Sequence, residues 1–177
     1  LNERGQEQAK LVAERLRNES IAFAYSSDLE RAVQTMGWIL EYHRSVPFWT
    51  RADLRERSYG IYEGRPDSEI RDALDRSGLP FEEHKPERGE SYLEVQQRAL
   101  GFYHGLFSKP AEDTILTVTH GGYLMALLLG LNKLPFTIEN RKLYRHQNTG
   151  LTIVNAENSS THSYEIFNDL SHLSPKT

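Results

Sequence analysis

The run Thr114-Ile115-Leu116-Thr117-Val118-Thr119 carries no charge and is dense in β-branched residues, as a strand covered on both faces requires. His120-Gly121-Gly122 stops it, and Tyr123 to Leu129 is then apolar nearly all round, which predicts a deeply buried helix. A covered strand feeding a buried helix needs apolar partners on every side. It points to a parallel or mixed sheet with helices on both faces.

The remaining patterns supply those partners. Asn2 caps a predicted helix reaching Arg17, with Ala9, Val12, Ala13 and Leu16 on one face. Ile21 to Tyr25 fits a buried strand, and Ser26-Ser27-Asp28 offers caps for a second helix burying Leu29, Ala32, Val33, Met36 and Leu40. Pro47 to Leu54 reads as extended and Tyr59 to Gly64 as loop; Ile70, Ala73 and Leu74 mark a short helix ending at Gly78. Phe81 to Glu90 reads as surface loop. Ser91 and Glu94 then form a capping box that opens a helix with Val95, Ala99, Phe102 and Leu106 on its apolar stripe. Leu151 to Asn155 and Thr161 to Asn168 read as a hairpin. The expected fold is α/β: one domain over residues 1–177, a three-layer α/β/α sandwich whose mostly parallel central sheet carries the hairpin as an antiparallel edge.

Composition narrows the function. With 177 residues and 38% hydrophobic content the chain can build one sizeable core. Its 21 basic and 25 acidic residues are mixed along the sequence, so neither nucleic acid nor an anionic membrane is an expected partner. The absence of cysteine excludes disulfides, thiolate catalysis and Cys-ligated zinc, and suits a reducing, cytoplasmic setting. No apolar run approaches the roughly 20 residues a membrane helix needs. Leu1 is not an initiator and the only methionines are Met36 and Met125, so residues upstream are expected to have been removed.

Ligands of such sheets bind beyond the carboxyl ends of strands, which selects two places: Ser26 to Arg31 and His120 to Gly122. His120 ends a strand just ahead of a helix, where backbone N–H groups and the helix dipole favour an anion, and the two glycines let a ligand approach the backbone. A lone histidine there would more often only bond the strand end; the strand-His-Gly-Gly-helix context favours a functional role. Arg31 can grip phosphate oxygens with a bidentate fork, or pair with Asp28 at i, i+3 in solvent. Glu56, between Arg55 and Arg57, is either an active-site acid or a surface ion pair. Lipase-elbow, phosphate-loop and zinc-helix motifs are all missing. The other histidines, at positions 43, 84, 104, 146, 162 and 172, show no metal-ligand spacing.

Four segments in register, Leu1 to Gln6, Ser26 to Thr35, Leu54 to Gly64 and Thr119 to Gly122, resemble the phosphoglycerate-mutase-like histidine phosphatases. Gly89-Glu90-Ser91, Asn148-Thr149-Gly150 and Asn168 to Leu173 extend the likeness along the whole chain. The resemblance implies hydrolysis of small phosphomonoesters through a phosphohistidine intermediate, with no metal or cofactor. Arg31 and His120 would clamp the phosphoryl oxygens beside Gly121 and Tyr59, and Glu56 would protonate the leaving alcohol. The family's nucleophile lies in an Arg-His-Gly motif closing a first central strand, and this sequence has no such motif. The expectation is a trimmed upstream segment; the alternative is a phosphoryl-binding domain without catalysis. The sequence has no long insertion between Glu56 and His120, which favours a phosphatase with a modest lid over Pro66 to Glu90, similar to fructose-2,6-bisphosphatase-like and broad-specificity members, over a phosphoglycerate mutase.

Overall fold

The computed structural model describes residues 1–108 and 114–174. Helix α1, Glu3–Leu16, starts where the Asn2 side chain accepts the Gly5 N–H at 2.9 Å, a cap worth about 1 kcal/mol. It buries Ala9, Val12, Ala13 and Leu16, the four residues the periodicity selects. Strand β1 runs Phe23–Ser27, two residues later than the apolar run suggests, because Ser26 and Ser27 continue the ladder while fully buried. Helix α2, Glu30–Leu40, turns Ile39 inward instead of the expected Leu40. Strand β2, Phe48–Arg51, leads into a 3₁₀ turn at Ala52–Leu54, and a second 3₁₀ turn occupies Gly60–Tyr62. Helix α3, Asp67–Ser77, ends at Gly78 with φ +65°, a left-handed conformation glycine adopts without strain.

Ser91 and Glu94 form the capping box of α4, Tyr92–Leu106. Strand β3, Ile115–Val118, delivers the chain to α5, Gly121–Leu131, which buries Tyr123, Met125, Ala126, Leu128 and Leu129. At about 1.5–3 kcal/mol for each large apolar side chain removed from water, α5 is the main apolar anchor of the fold. Helix α6, Ile138–Leu143, precedes the hairpin of β4, Leu151–Ala156, and β5, His162–Asp169. No helix among the described residues is long and apolar enough to cross a membrane.

The sheet is parallel, in the order β2-β1-β3, with Ala24 opposite both Phe48 and Leu116. The α/β class is therefore as expected, with one difference in layout. Strands β4 and β5 pair only with each other among the described residues, and do not bond to the parallel sheet as its edge. Between β3 and β4 lies a groove of about 730 Å³, floored by α4 and α5 through Phe102, Leu106, Leu124 and Leu127. This opening leaves β3 half-buried, where full coverage was expected. Buried polar atoms of three residues lining it, Tyr103 Oη, Tyr123 Oη and His162 Nδ1, have no hydrogen-bond partner among the described residues.

Candidate active site

Parallel pairing brings the ends of β1 and β3 to one edge, and the chain segments beyond them meet at the first turn of α5. His120 is the residue ahead of α5, in an extended conformation, and is buried. Its Nδ1 accepts the Arg31 Nε–H at 3.2 Å, reaching across from α2. A ring that accepts at Nδ1 carries its proton on Nε2. Burial, reinforced by the cations of Arg31 and Arg98, pushes the His120 pKa down to about 4, so the ring is neutral near pH 7. The Nε2 atom is buried and has no partner among the described residues. It is a desolvated donor ready for an anionic oxygen.

The Glu56 carboxylate closes the other side. Its Oε2 accepts the Gly122 N–H at 2.9 Å and its Oε1 the Arg57 N–H at 2.9 Å. The anion favoured by the α5 N-terminus is therefore Glu56 itself, held in the dipole's positive end. Thr119 donates its hydroxyl to Leu54 O at 2.7 Å, tying the Glu56 loop to the end of β3. Arg31, Glu56 and His120 thus converge around one helix terminus, and Gly121 lies in the same turn. Tyr59 stands further along the Glu56 loop, and its ring lies 5.1 Å from the Arg57 guanidinium.

The local alternatives drawn from spacing are not the ones realised. Asp28 pairs bidentately with Arg55 at 2.6 Å for both bonds, leaving Arg31 to His120. Arg55 and Arg57 do not make Glu56 part of a surface ion pair: Arg57 is buried, donates to Glu90 O and His84 O, and stacks on Tyr92. The segment from Phe81 to Glu90 is accordingly packed against the site at His84 and Phe81, although it was expected to be surface loop. Burial also depresses the His84 pKa, with Arg57 adding to the effect. Among the described residues no group of histidines and carboxylates is placed to hold a metal ion.

Arg98 was not singled out by any sequence pattern. It lies on α4 and reaches Asp53 O at 3.0 Å, Glu56 O at 3.2 Å and both Glu90 carboxylate oxygens at 2.9 and 3.0 Å. Its nearest local signal, a Glu94 four residues earlier, points elsewhere, because Glu94 is committed to the Ser91 cap and to Lys85.

A model of the histidine phosphatase superfamily, branch 1, matches residues 1–169. The chain belongs to that superfamily. Its phosphatase relatives are phosphate-ester hydrolases, and its similarities run to proteins named as phosphatases and to probable phosphoglycerate mutases. It is 29% identical to phosphoglycerate mutase-like protein 4 of Arabidopsis thaliana, over 98% of this chain and 76% of that protein. It is 37% identical to the fructose-2,6-bisphosphatase TIGAR of Mus musculus, over 58% of this chain and only 39% of that protein. In structure it is similar to mycobacterial glucosyl-3-phosphoglycerate phosphatase in complex with inorganic phosphate, with a TM-score of 0.80, 26% identity and coverage of 98% of this chain and 89% of that one.

Proposed function

We propose that this histidine phosphatase hydrolyses small phosphomonoesters through a phosphohistidine, with Arg31 and His120 holding the phosphoryl group and Glu56 as proton donor. The observation that carries this reading is the meeting of those three side chains at the first turn of α5. The Arg31 cation and the His120 Nε2–H would neutralise equatorial oxygens, where charge concentrates as phosphorus is transferred. Glu56, in its protonated form, would give its proton to the departing alcohol and later take one from the water that opens the phosphohistidine. The similarity to phosphatases of phosphorylated sugars and sugar acids supports small esters as substrates. The short lid region, containing α3, favours release to water over transfer between positions.

This reading takes the attacking imidazole from outside the described residues. His43 is bonded to Leu16 O, His146 to Thr152 and His172 to Thr149, each away from the site. The groove between β3 and β4 is bordered by two strand edges and lined by buried polar atoms without partners, so it suits one extended segment. A strand supplied upstream of Leu1, lying parallel to β3, would end beside His120 and bring an Arg-His-Gly histidine there. The lack of such a histidine in the described residues favours a second reading, a domain that binds phosphate without turnover.

The test compares the 177-residue chain with a version extended upstream of Leu1, both assayed with EDTA on small alkyl and aryl phosphates. Hydrolysis by the extended version alone, with an acid-labile phosphoenzyme trapped on the upstream histidine, is expected. Phosphoglycerate mutase turnover exceeding phosphate release would overturn the phosphatase reading, and phosphate binding without turnover by both versions would establish the binding domain instead.

A further inference from the structure

The loop from Asp53 to Ser58 carries Glu56 and is neither helix nor strand beyond its first 3₁₀ turn; its own backbone holds the carboxyl group through the Arg57 N–H, donated to Glu56 Oε1. Thr119 anchors it at Leu54 O and Arg57 at Glu90 O and His84 O, and a further side chain, on α4, holds the stretch around Glu56 itself. The Arg98 guanidinium donates to Asp53 O and Glu56 O through Nη1 and Nη2, and grips Glu90 side-on through Nε and Nη2. Glu90 passes the restraint onward: its Oε2 accepts the Ser58 N–H at 3.1 Å, and its own N–H donates to Ser58 O at 2.9 Å. The loop is thus pinned before, at and after Glu56. Both partners are largely shielded, at 19% and 28% side-chain exposure, where charged hydrogen bonds are weakened less by water than on an open surface.

We propose that Arg98, braced by Glu90, is the positioning residue for Glu56: it sets the place of the proton donor relative to His120 without touching the substrate. This rests on the reading of Glu56 as the acid. Only a planar fork reaches two carbonyls and a bidentate carboxylate at once; a lysine keeps the charge and loses the geometry. The conservative variant therefore separates position from electrostatics, because the positive charge beside His120 remains.

The experiment uses Arg98→Lys and Glu90→Gln in the protein extended upstream of Leu1. The first readout is hydrogen exchange at the Gly122 amide, whose bond to Glu56 Oε2 reports the carboxylate's position whether or not the protein is catalytic. Protection there should fall in both variants. The kcat on an alkyl phosphate, which needs a proton donor, should fall by about a hundredfold, a cost that roughly 1 Å of misplacement can carry. KM, and the rate on an aryl phosphate with a good leaving group, should move by less than about threefold. Unchanged Gly122 protection would overturn the proposal, and so would equal losses on both esters with a raised KM, which would mark Arg98 as merely structural. If Glu56→Gln leaves the alkyl phosphate rate intact, the acid assignment fails while the Gly122 amide still reports what Arg98 positions, so the two failures are distinguishable.

Discussion

Replacing Gly122 by alanine would put a methyl group into the Glu56 carboxylate. A Cβ built on Gly122 lies 2.5 Å from Glu56 Oε1 and 3.1 Å from both Glu56 Cδ and Tyr92 Oη. The carboxylate is the mobile end of its side chain, so it swings away and gives up its bond to the Gly122 N–H. A hydrogen bond to a charged group is worth about 1.5–3 kcal/mol, and alanine returns about 1 kcal/mol of helix propensity, leaving a net loss of about 0.5–2 kcal/mol. For a chain of this length that corresponds to a Tm lower by about 1–8 °C. The larger effect falls on catalysis. A proton donor displaced by about 1 Å should slow alkyl phosphate hydrolysis about a hundredfold, while phosphate affinity, assigned in the proposed site to Arg31 and His120, should stay within about threefold. Steady-state kinetics on alkyl and aryl phosphates in the protein extended upstream, with calorimetric titration of inorganic phosphate, measure both. A Gly122→Ala protein that keeps its alkyl phosphate rate while Glu56→Gln loses it would refute the claim that this contact places the acid.

His120, with a pKa near 4 against the ordinary 6.5, should make stability depend on pH. Between those values the unfolded chain takes up protons the folded one refuses, so this contribution is full above about pH 6.5 and is lost as pH falls toward 4; His84 and His146, depressed by burial, act in the same direction. Urea unfolding should show lower stability at pH 5 than at pH 7, with the difference reduced in His120→Gln; an undiminished difference would count against the neutral buried ring. Gly60 sits at φ +55°, and a Cβ built there would run into Glu87 O and the Arg88-Gly89 backbone, so Gly60→Ala should lower stability by more than about 1 kcal/mol and loosen the Glu56 loop, seen as a lower Tm and faster exchange at Ser58. Arg55→Ala removes a half-exposed ion pair with Asp28 and should leave the Tm nearly unchanged in the same melts; a clear drop would make that pair part of the site's support.

What the sequence made legible was local. The Asn2 cap, the Ser91–Glu94 box, the stop at Gly78 and the apolar faces of α1 and α5 each answer to a backbone demand within a few residues, and each is found where its signal lies. The hairpin was legible as a hairpin, but its place was not: whether β4 joins the sheet depends on what fills the groove beside β3, and no residue of β4 encodes that. Phe81 to Glu90 looked like surface because it is polar; it is pinned to the site by the Arg57 side chain, which donates to its carbonyls, and polarity says nothing about carbonyls.

The charged residues follow one rule that spacing alone misses. Spacing offers Arg31 a local partner in Asp28 as the alternative to gripping phosphate, yet the local partners are spoken for: Asp28 by Arg55, Glu94 by its cap and Lys85. An arginine whose local carboxylate is already engaged places its donors elsewhere: Arg98, shielded from water, on backbone carbonyls and a distant carboxylate, and Arg31, itself exposed, on a ring nitrogen. Arg31 reaches His120 across 89 positions, and Arg98 reaches Asp53 and Glu56 across 45 and 42. The candidate site is assembled from these displaced cations, which is why the residues proposed to hold phosphate and to place the acid are ones whose sequence neighbours give no account of them.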